Sequence, residues 1–396
     1  MKISIIPDCH CGYGQGKRHE DSFLALEEVI EKNLDSDLIL IVGDLFNSRI
    51  PKQETFGRVA KTLVKVQNIP SQTKFIDVIG KDRKDMSPSA LKGIPIVAIN
   101  GNHDRRSKHM VNPVQLLEKS GLLMHLHCGT VIFEIHGQKV AVHGMSNVPE
   151  RYAKDVMYKW GPKPVENAVN ILLIHQSIDP YIYSPLEPPS IKLEDLPGGF
   201  DLVIDGHIHW HDTKTLGGSL FLLTGSLAPT SLHKKESEQK KGWFVYNGTT
   251  VEFKSVENQR KIYWEDLYFN ENIKSDLNRK ISDIISRDSG KLEPIIKINV
   301  KGSLPKGMNL PSFADVERKF RDKAVLRLSR KLKQEGFEEQ VELLKALRER
   351  RLSPEEQGLV ILRENLKQAK CNLNTDEIFE PLMDGEIDKI LSKLIQ

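Results

Sequence analysis

The chain has 396 residues, enough for two or three domains with cores of their own; 39% of the residues are apolar and 28% charged. This composition excludes an intrinsically disordered protein, and no apolar run is long enough to cross a membrane. The net charge is only +3, so a nucleic acid would have to be bound by local basic patches. Four scattered cysteines fit a reducing cytosol, and no targeting segment is visible, so we expect a cytoplasmic protein.

The first part of the chain alternates continuous apolar strands with amphipathic helices, a pattern typical of an α/β sheet covered on both faces. Residues 68–92 are polar and charged, and we expect an irregular surface excursion there. Residues 130–143 have the alternation of a β-hairpin. Strands are expected over residues 2–6, 37–42, 94–99, 171–174, 201–205, 219–223, 242–246 and 250–256, and helices over 20–33 and 53–66.

Short polar motifs follow these strands at the points where the strands end. They are D-x-H at 8–10, G-D at 43–44, G-N-H-D at 101–104, a histidine at 175 and G-H-x-H at 206–209. Each residue taken alone is more often a turn former or a capping residue, but their joint placement at successive strand ends indicates a metal cluster. Together the motifs supply two carboxylates, one amide oxygen and four imidazoles: Asp8, His10, Asp44, Asn102, His175, His207 and His209.

This ligand set predicts two metal ions rather than one. Seven ligands are too many for a structural zinc, which takes four and favours thiolate. Oxygen and imidazole ligands without thiolate suit Mn²⁺, with Fe, Mg or Zn as alternatives. Asp44 stands alone at its strand end and is the expected bridge. Two adjacent ions predict hydrolysis of a phosphate ester by a metal-bound hydroxide, with His103 as the acid for the leaving oxygen and Asp104 orienting it.

The pattern changes beyond residue 258. A strand–helix–strand unit is expected, with strands over 262–269 and 294–300 and a helix over 274–285. After a linker at 302–307 the pattern is helical, and residues 313–334 carry eight Lys and Arg. This basic segment is either a solvated helix face or a surface for DNA or an acidic partner. Further helices are expected over 339–351, from Ser353 and from Asn374.

With these motifs the chain resembles the calcineurin-like metallophosphoesterase superfamily, because every position of that superfamily's pattern is filled. The resemblance covers residues 1–256. Within the superfamily the chain is similar to the nuclease subunit of a DNA double-strand-break repair complex, the meiotic-recombination-eleven/SbcD family, in its archaeal type. The residues that carry this closer resemblance are Gly12-Tyr13 after His10, Gly43-Asp44-Leu45-Phe46, Arg105 after the G-N-H-D motif, and Gly225-Ser226-Leu227.

The resemblance implies a four-layer α/β/β/α sandwich over 1–257, an α+β capping domain that binds DNA over 258–305, and a helical tail over 306–396 that binds an SMC-like ATPase. It implies a nucleoid-associated homodimer with Mn-dependent 3′→5′ exonuclease and single-strand endonuclease activity on double- and single-stranded DNA ends. It also implies the division of ligands: one ion would take Asp8, His10, Asp44 and His209, and the other Asp44, Asn102, His175 and His207.

One position departs from the family pattern. Nucleases of this family often have a histidine directly after G-D-L-F, near the scissile phosphate, where this chain has Asn47. Asparagine can donate a hydrogen bond to phosphate but cannot act as an imidazolium acid. Two other functions remain open from the residues alone: a phosphoesterase for small molecules or proteins, and a scaffold for the ATPase partner.

Overall fold

The computed structural model describes residues 1–107, 109–183, 191–305 and 308–334, with short stretches at 358–360, 362–363, 366 and 375–383. The chain divides into two compact units. The first takes Met1–Asp266, Lys274–Asn299 and Phe313–Ser329, and the second takes Leu267–Ile273, Val300–Ser312 and the chain from Arg330 onward. None of the helices in the described residues has the length and apolar character that crossing a membrane requires.

The described residues form strands and α-helices, and several strands follow one another directly. The strands are β1 (Ile3–Ile6), β2 (Leu38–Val42), β3 (Lys74–Ile79), β4 (Ile96–Ile99), β5 (Met124–His125), β6 (Gly129–Ile135), β7 (Gln138–Met145), β8 (Ala168–Ile174), β9 (Ile178–Asp179), β10 (Ile191–Lys192), β11 (Leu202–Asp205), β12 (His211–Leu216), β13 (Ser219–Thr224), β14 (Gly242–Tyr246), β15 (Val251–Ser255), β16 (Ile262–Tyr268), β17 (Ile295–Leu304) and β18 (Val325–Gln334). The helices are α1 (Asp21–Lys32), α2 (Gln53–Gln67), α3 (Pro113–Lys119), α4 (Glu150–Trp160), α5 (Lys234–Ser237), α6 (Ile273–Arg287), α7 (Ala314–Phe320) and α8 (Thr375–Met383).

Two sheets face each other in the first unit. A six-stranded sheet has the order β15-β14-β1-β2-β4-β5, and a seven-stranded sheet has the order β12-β13-β11-β8-β7-β6-β3. One buried cluster contains side chains of both sheets, among them Leu40 of β2 and Phe133 of β6. A second cluster joins the first sheet to α1, α2 and α3, and a third joins the second sheet to α4. The four-layer α/β/β/α order is therefore confirmed.

Strand β2 shows why the sequence has continuous apolar runs rather than alternation. Leu38, Leu40 and Val42 belong to the cluster between the sheets. Ile39 and Ile41 belong to the cluster on the helix side. Because successive side chains point to opposite faces and both faces are buried, every position of the strand must be apolar.

Parallel strand pairing brings the polar motifs to one edge of each sheet. Strands β1, β2 and β4 run parallel in the first sheet. Strand β8 runs parallel to β7 and β11 in the second. The carboxyl ends of parallel strands meet at the same edge, which is where open α/β sheets place their ligands.

The expected irregular excursion over 68–92 is wrong for Lys74–Ile79, which forms β3. This strand pairs antiparallel with β6 at the edge of the second sheet, with a register shift between Phe75 and Asp77. Its side chains are exposed or half-buried throughout. An exposed edge strand with a bulge has little apolar alternation, so the sequence signal for it is weak.

The predicted strand–helix–strand unit is confirmed as β16, α6 and β17, and β18 completes a three-stranded sheet of order β16-β17-β18. The expected helix over 313–334 is wrong for its second half, since only Ala314–Phe320 is helical and Val325–Gln334 is a strand. The expected helix over 339–351 lies outside the described residues. Of the helix expected from Ser353, residues 358–360, 362–363 and 366 are described, and they are helical. The helix expected from Asn374 is present as α8, and it contains Pro381.

Candidate metal centre

The seven polar residues at the strand ends come together in the structure. Asp8 and His10 follow β1, Asp44 follows β2, and Asn102 follows β4 in the first sheet. From the second sheet, His175 follows β8, and the G-H-x-H motif at 206–209 follows β11. Three sets of carboxylate and imidazole ligand atoms each lie within 4.8 Å of one another: Asp8, His10 and His209; His10, Asp44 and His103; and Asp8, Asp44 and His175.

One group of donor atoms lies around His10. The Nε2 atoms of His10 and His209 are 3.0 Å apart. His10 Nε2 is 3.8 Å from Asp44 Oδ2 and 4.0 Å from Asp8 Oδ2. His209 Nε2 is 3.6 Å from Asp8 Oδ2. Two oxygens and two nitrogens thus face a common point, in an arrangement suited to one divalent ion.

A second group lies around His175 and shares the Asp44 carboxylate. His175 Nε2 is 3.4 Å from Asp44 Oδ2 and 3.3 Å from Asn102 Oδ1. Asn102 Oδ1 is also 3.1 Å from His207 Nδ1. The same oxygen, Asp44 Oδ2, faces both groups.

Hydrogen bonds orient two of the imidazoles. His175 Nδ1 lies 2.8 Å from the carbonyl oxygen of Val42 and can only donate to it. His209 Nδ1 lies 2.6 Å from the hydroxyl oxygen of Thr230. In a neutral imidazole that donates from Nδ1, Nε2 carries the lone pair, which is the usual ligand atom of a metal-binding histidine with such a bond.

Three of the seven residues have backbone angles that side chains other than glycine rarely adopt. The φ angle is +49° at His10, +43° at Asp44 and +74° at His207. Such angles cost on the order of 1–3 kcal/mol each and persist where the surrounding structure enforces them. The turn at 206–209 separates the two imidazole rings. The ring of His207 lies beside Asn102, and the ring of His209 lies beside His10.

The charges at the site suit cations. Burial lowers the pKa of His10 and of His207 to about 4, and it also lowers the pKa of His209, so these imidazoles are neutral. Burial opposes ionisation of Asp44, but its interactions with His175, His10 and His103 together outweigh that effect and hold the pKa of Asp44 below its usual range. Burial also lowers the pKa of His175, but the Asp44 and Asp8 carboxylates outweigh it and raise that pKa to about 10. Among the described atoms, Asp8 Oδ1 and His10 Nδ1 have no hydrogen-bond partner. Buried carboxylate and neutral imidazole without thiolate fit divalent Mn, Fe, Mg or Zn.

His103 and Asp104 lie beside these donors in different ways. The His103 ring is edge-on to that of His10, with 4.8 Å between centroids, and its Nδ1 is 3.4 Å from the carbonyl oxygen of Asn47. Asp104 is fully buried, and its oxygens accept from the backbone amides of Leu45, Phe46 and Gly101. The expectation that Asp104 orients His103 therefore needs correction. Asp104 instead joins the loops that carry Asp44 and Asn102, and the nearest partner of the His103 ring nitrogen is a backbone carbonyl.

Comparison with known proteins assigns the family. The family model described as Calcineurin-like phosphoesterase matches residues 1–211, more than half of the chain. The chain belongs to the calcineurin-like phosphoesterase family. All seven strand-end residues lie within the matched stretch.

Relatives of this phosphoesterase include archaeal DNA repair proteins. "DNA double-strand break repair protein Mre11" of Methanopyrus kandleri is 27% identical over 65% of this chain and 57% of that protein. The protein of the same name from Sulfolobus acidocaldarius is 26% identical over 60% of this chain and 57% of its own length. The matches thus span little more than half of each relative. The solved structure of a novel archaeal phosphodiesterase is 13% identical with a TM-score of 0.31, over 65% of this chain and all of that one; a likeness of that size carries no argument.

Sequence reasoning missed a buried ion pair that supports His209 in this phosphoesterase. Lys241 Nζ donates to the carbonyl oxygen of His209 at 2.7 Å, to Ser226 Oγ at 2.9 Å and to Glu236 Oε1 at 2.8 Å. Glu236 also accepts from the backbone amide of Thr230, whose hydroxyl meets the His209 ring. Burial lowers the pKa of Lys241, and the charge of Glu236 opposes that effect. Nothing in the local sequence distinguishes these two charges from solvated ones.

Tyr183 is a second missed residue. Its hydroxyl donates to the carbonyl oxygen of His207 at 3.0 Å and accepts from the amide of His209 at 3.2 Å. The ring lies edge-on to both imidazoles. Tyr183 therefore spans the turn that separates the two histidines.

We predict that Gly206→Ala disrupts the metal centre. A Cβ atom at Gly206 would lie 2.5 Å from the carbonyl oxygen of Val42, 2.6 Å from His175 Nδ1 and 2.9 Å from Asp8 Oδ1, so the end of β2 and both side chains would have to move. We expect Mn²⁺ affinity, measured by calorimetry, to fall by about 10–100-fold. Gly198→Ala is the control, because a Cβ there meets nothing within 4 Å. Equal Mn²⁺ affinity of the two variants would contradict the described packing.

We predict that Lys241→Met destabilises the fold, because it leaves Glu236 as a buried carboxylate without its cation. Removing one partner of a buried ion pair costs roughly 3–5 kcal/mol, which urea denaturation would measure. Lys240→Met is the matched control, since the neighbouring lysine is exposed. If both variants unfold at the same urea concentration as the unaltered protein, the buried pair does not stabilise this region.

Proposed function

We propose that this chain is a metal-dependent nuclease that processes DNA ends in double-strand break repair. The observation that carries the proposal is the pair of donor groups sharing Asp44 Oδ2, which lies 3.8 Å from His10 Nε2 and 3.4 Å from His175 Nε2. The archaeal relatives bear the name of double-strand break repair proteins, which supports DNA as the substrate. A phosphodiester has the charged oxygens that two adjacent cations neutralise.

In this proposal Asp8, His10, Asp44 and His209 hold one ion, and Asp44, Asn102, His175 and His207 hold the other. Mn²⁺ is the proposed ion at both positions, with Fe, Mg or Zn as alternatives. Two bound divalent ions would activate the attacking water and neutralise negative charge that develops on the phosphate. The short distances between His10 and His209, and those from Asn102 to His175 and to His207, support this division.

His103 is the proposed acid for the leaving oxygen. It lines the pocket of about 280 Å³ that opens onto the donor groups, together with Asn47. Donation from His103 Nδ1–H to the Asn47 carbonyl leaves the other ring nitrogen to face the substrate. Asn47 itself has a side-chain amide that can donate a hydrogen bond to a phosphate oxygen but no proton for the leaving group. We propose 3′→5′ exonuclease and single-strand endonuclease activities. The ratio of the two activities would depend on the residue at position 47.

We predict that Asn102→Ala and His103→Ala both abolish or strongly reduce Mn-dependent cleavage of DNA ends, for different reasons. Asn102→Ala removes an oxygen that faces both His175 and His207, so calorimetry should show loss of one of two Mn²⁺ sites. His103→Ala should retain Mn²⁺ binding while cleavage falls by about 10²–10⁴-fold, because the proton donor is lost.

His136→Asn serves as the control for both variants. His136 is an exposed histidine at a hairpin turn with a φ of +50°, which asparagine tolerates. Mn²⁺ titrations with blunt, overhanging and hairpin DNA, beside an aryl phosphodiester and an aryl phosphomonoester, would compare the substrates. Undiminished cleavage of DNA ends by either test variant would contradict the assignment. A preference for the phosphomonoester would favour a small-molecule phosphoesterase instead.

We also propose the domain division that the resemblance implies: nuclease over 1–257, DNA-binding cap over 258–305 and a tail over 306–396 that binds an SMC-like ATPase, in a homodimer. The first part of that tail includes β18, which belongs to the three-stranded sheet with β16 and β17. A deletion that is meant to test the tail must therefore begin after residue 334.

We predict that a chain ending at residue 334 retains DNA cleavage but no longer co-purifies with the ATPase partner. The deletion preserves all three strands of the small sheet. The measurements are co-expression with affinity capture of the partner, and Mn-dependent cleavage of DNA ends by the shortened chain alone. Co-purification equal to that of the full chain would show that the partner binds elsewhere.

A further inference from the structure

A cleft with three arginines lies beside the metal centre. Its volume is about 660 Å³, and its lining includes Arg49, Arg105, Arg106, Asn147 and Tyr152. These residues come from three segments: the loop after β2, the loop after β4, and the start of α4 with the loop before it. The tertiary fold therefore brings these basic residues together, and no single basic segment of the sequence would predict the cleft.

These arginines lack the direct ion pairs that other arginines of the first unit form. Elsewhere in the first unit Arg18, Arg58 and Arg260 form ion pairs with carboxylates. Arg105 donates instead to the amide oxygen of Asn147 at 2.8 Å. Arg106 donates to the carbonyl oxygen of Val111 and to the sulfur of Met110. Within the described part of the chain, no carboxylate lies at ion-pair distance from any of the three cleft arginines.

The loops after β2 and after β4 line both the cleft and the pocket over the donor groups. Asn47 and His103 line the pocket over the donor groups. Arg49 lies two residues after Asn47 in the sequence, Arg105 lies two residues after His103, and both arginines line the cleft. Asn147 connects the two places, because its Nδ2 donates to the carbonyl oxygen of His175 at 2.9 Å while its Oδ1 accepts from Arg105. A strand with one phosphate at the metal centre would therefore bring neighbouring phosphates to these guanidinium groups.

The aromatic residue in the cleft indicates which form of nucleic acid fits. The Tyr152 side chain is 47% exposed and lies at the cleft on α4, and Arg151 covers one face of its ring, with Cζ 4.6 Å from the ring centroid. Guanidinium groups that track phosphates, combined with an exposed aromatic ring on which a base stacks, are characteristic of single-strand binding. Bases in a duplex are stacked on each other and do not present a free face to such a ring.

We propose that this cleft binds the single-stranded segment of a nucleic acid that continues from the scissile phosphate, with Arg49, Arg105 and Arg106 on phosphates and Tyr152 on a base. The proposal rests on the nuclease function proposed above, and it adds a separate binding site to the metal centre. DNA binding measured without Mn²⁺ tests the cleft independently of cleavage.

The first experiment measures how the affinity for a fluorescent single-stranded oligonucleotide depends on salt, in EDTA. The test variant is Arg49→Gln/Arg106→Gln, which leaves Arg105 and its hydrogen bond to Asn147 in place. Each lost phosphate contact reduces the slope of log K against log salt by roughly 0.7 for single strands, so the double variant should lose roughly 1.4. Arg83→Gln is the control, since Arg83 lies over the Phe75 ring outside the cleft. An unchanged slope in the double variant would overturn the proposal.

The second experiment tests the aromatic contact. Tyr152→Ala should weaken single-strand binding by roughly tenfold, within the range known for loss of one base–aromatic stack, whereas Tyr152→Phe should bind like the unaltered protein. Equal weakening by both variants would overturn the stacking role, and so would a loss confined to blunt duplex DNA.

The third measurement separates this proposal from the nuclease assignment. For the double arginine variant, the ratio of tailed-DNA cleavage to aryl phosphodiester hydrolysis should fall at least tenfold. A fall of both activities in proportion would place the arginines at the metal centre and refute a separate cleft. If the unaltered protein hydrolyses neither substrate with Mn²⁺, the nuclease assignment fails, while the salt slope still decides whether the cleft binds single strands.

Discussion

The position of one carboxylate oxygen determines how the rest of the site must be built. Asp44 Oδ2 faces His10 from the first sheet and His175 from the second, at 3.8 and 3.4 Å. Both distances require that the two sheets keep a fixed position relative to each other. The buried cluster between the sheets therefore also sets the geometry of the donor groups. The other oxygen, Oδ1, accepts from the backbone amide of His103, which fixes the rotation of the carboxylate.

Placing so many polar groups in a buried site is costly, and the fold offsets that cost locally. A buried carboxylate or imidazole without a partner loses several kcal/mol of hydration, and strained backbone adds to it. The carbonyl oxygen of Val42 accepts from His175, the Thr230 hydroxyl hydrogen-bonds to His209, and three backbone amides donate to Asp104, which satisfies part of the site. Asp8 Oδ1 and His10 Nδ1 remain without a partner among the described atoms. A cation would compensate the carboxylates, so the folded structure and the proposed metal depend on each other.

The sequence predicted those parts of the structure whose signal is local. A parallel strand buried on both faces must be apolar throughout, and the polar residue after it is visible in the sequence, as at Val42 and Asp44. The signals that failed were ambiguous or distant. In β18, Leu326, Leu328 and Leu332 alternate as in a strand, but Val325, Leu328 and Leu332 also fit one face of a helix. Glu236 and Lys241 lie in a charged segment, and only the tertiary fold shows that both are buried.

The residue after Gly43-Asp44-Leu45-Phe46 is Asn47 rather than a histidine, and this has a consequence for proton transfer. If His10, His207 and His209 bind metal through the proposed nitrogens, they cannot also supply a proton to the leaving oxygen. The phenols of Tyr13 and Tyr183 donate to the carbonyl oxygens of Thr230 and His207. Of the side chains that line the pocket, this leaves His103 as the imidazole free to act as the acid, because the neighbouring amide of Asn47 has no acidic proton. Restoring a histidine at position 47 would therefore add a second proton donor, and it would do so without changing any of the seven proposed ligands.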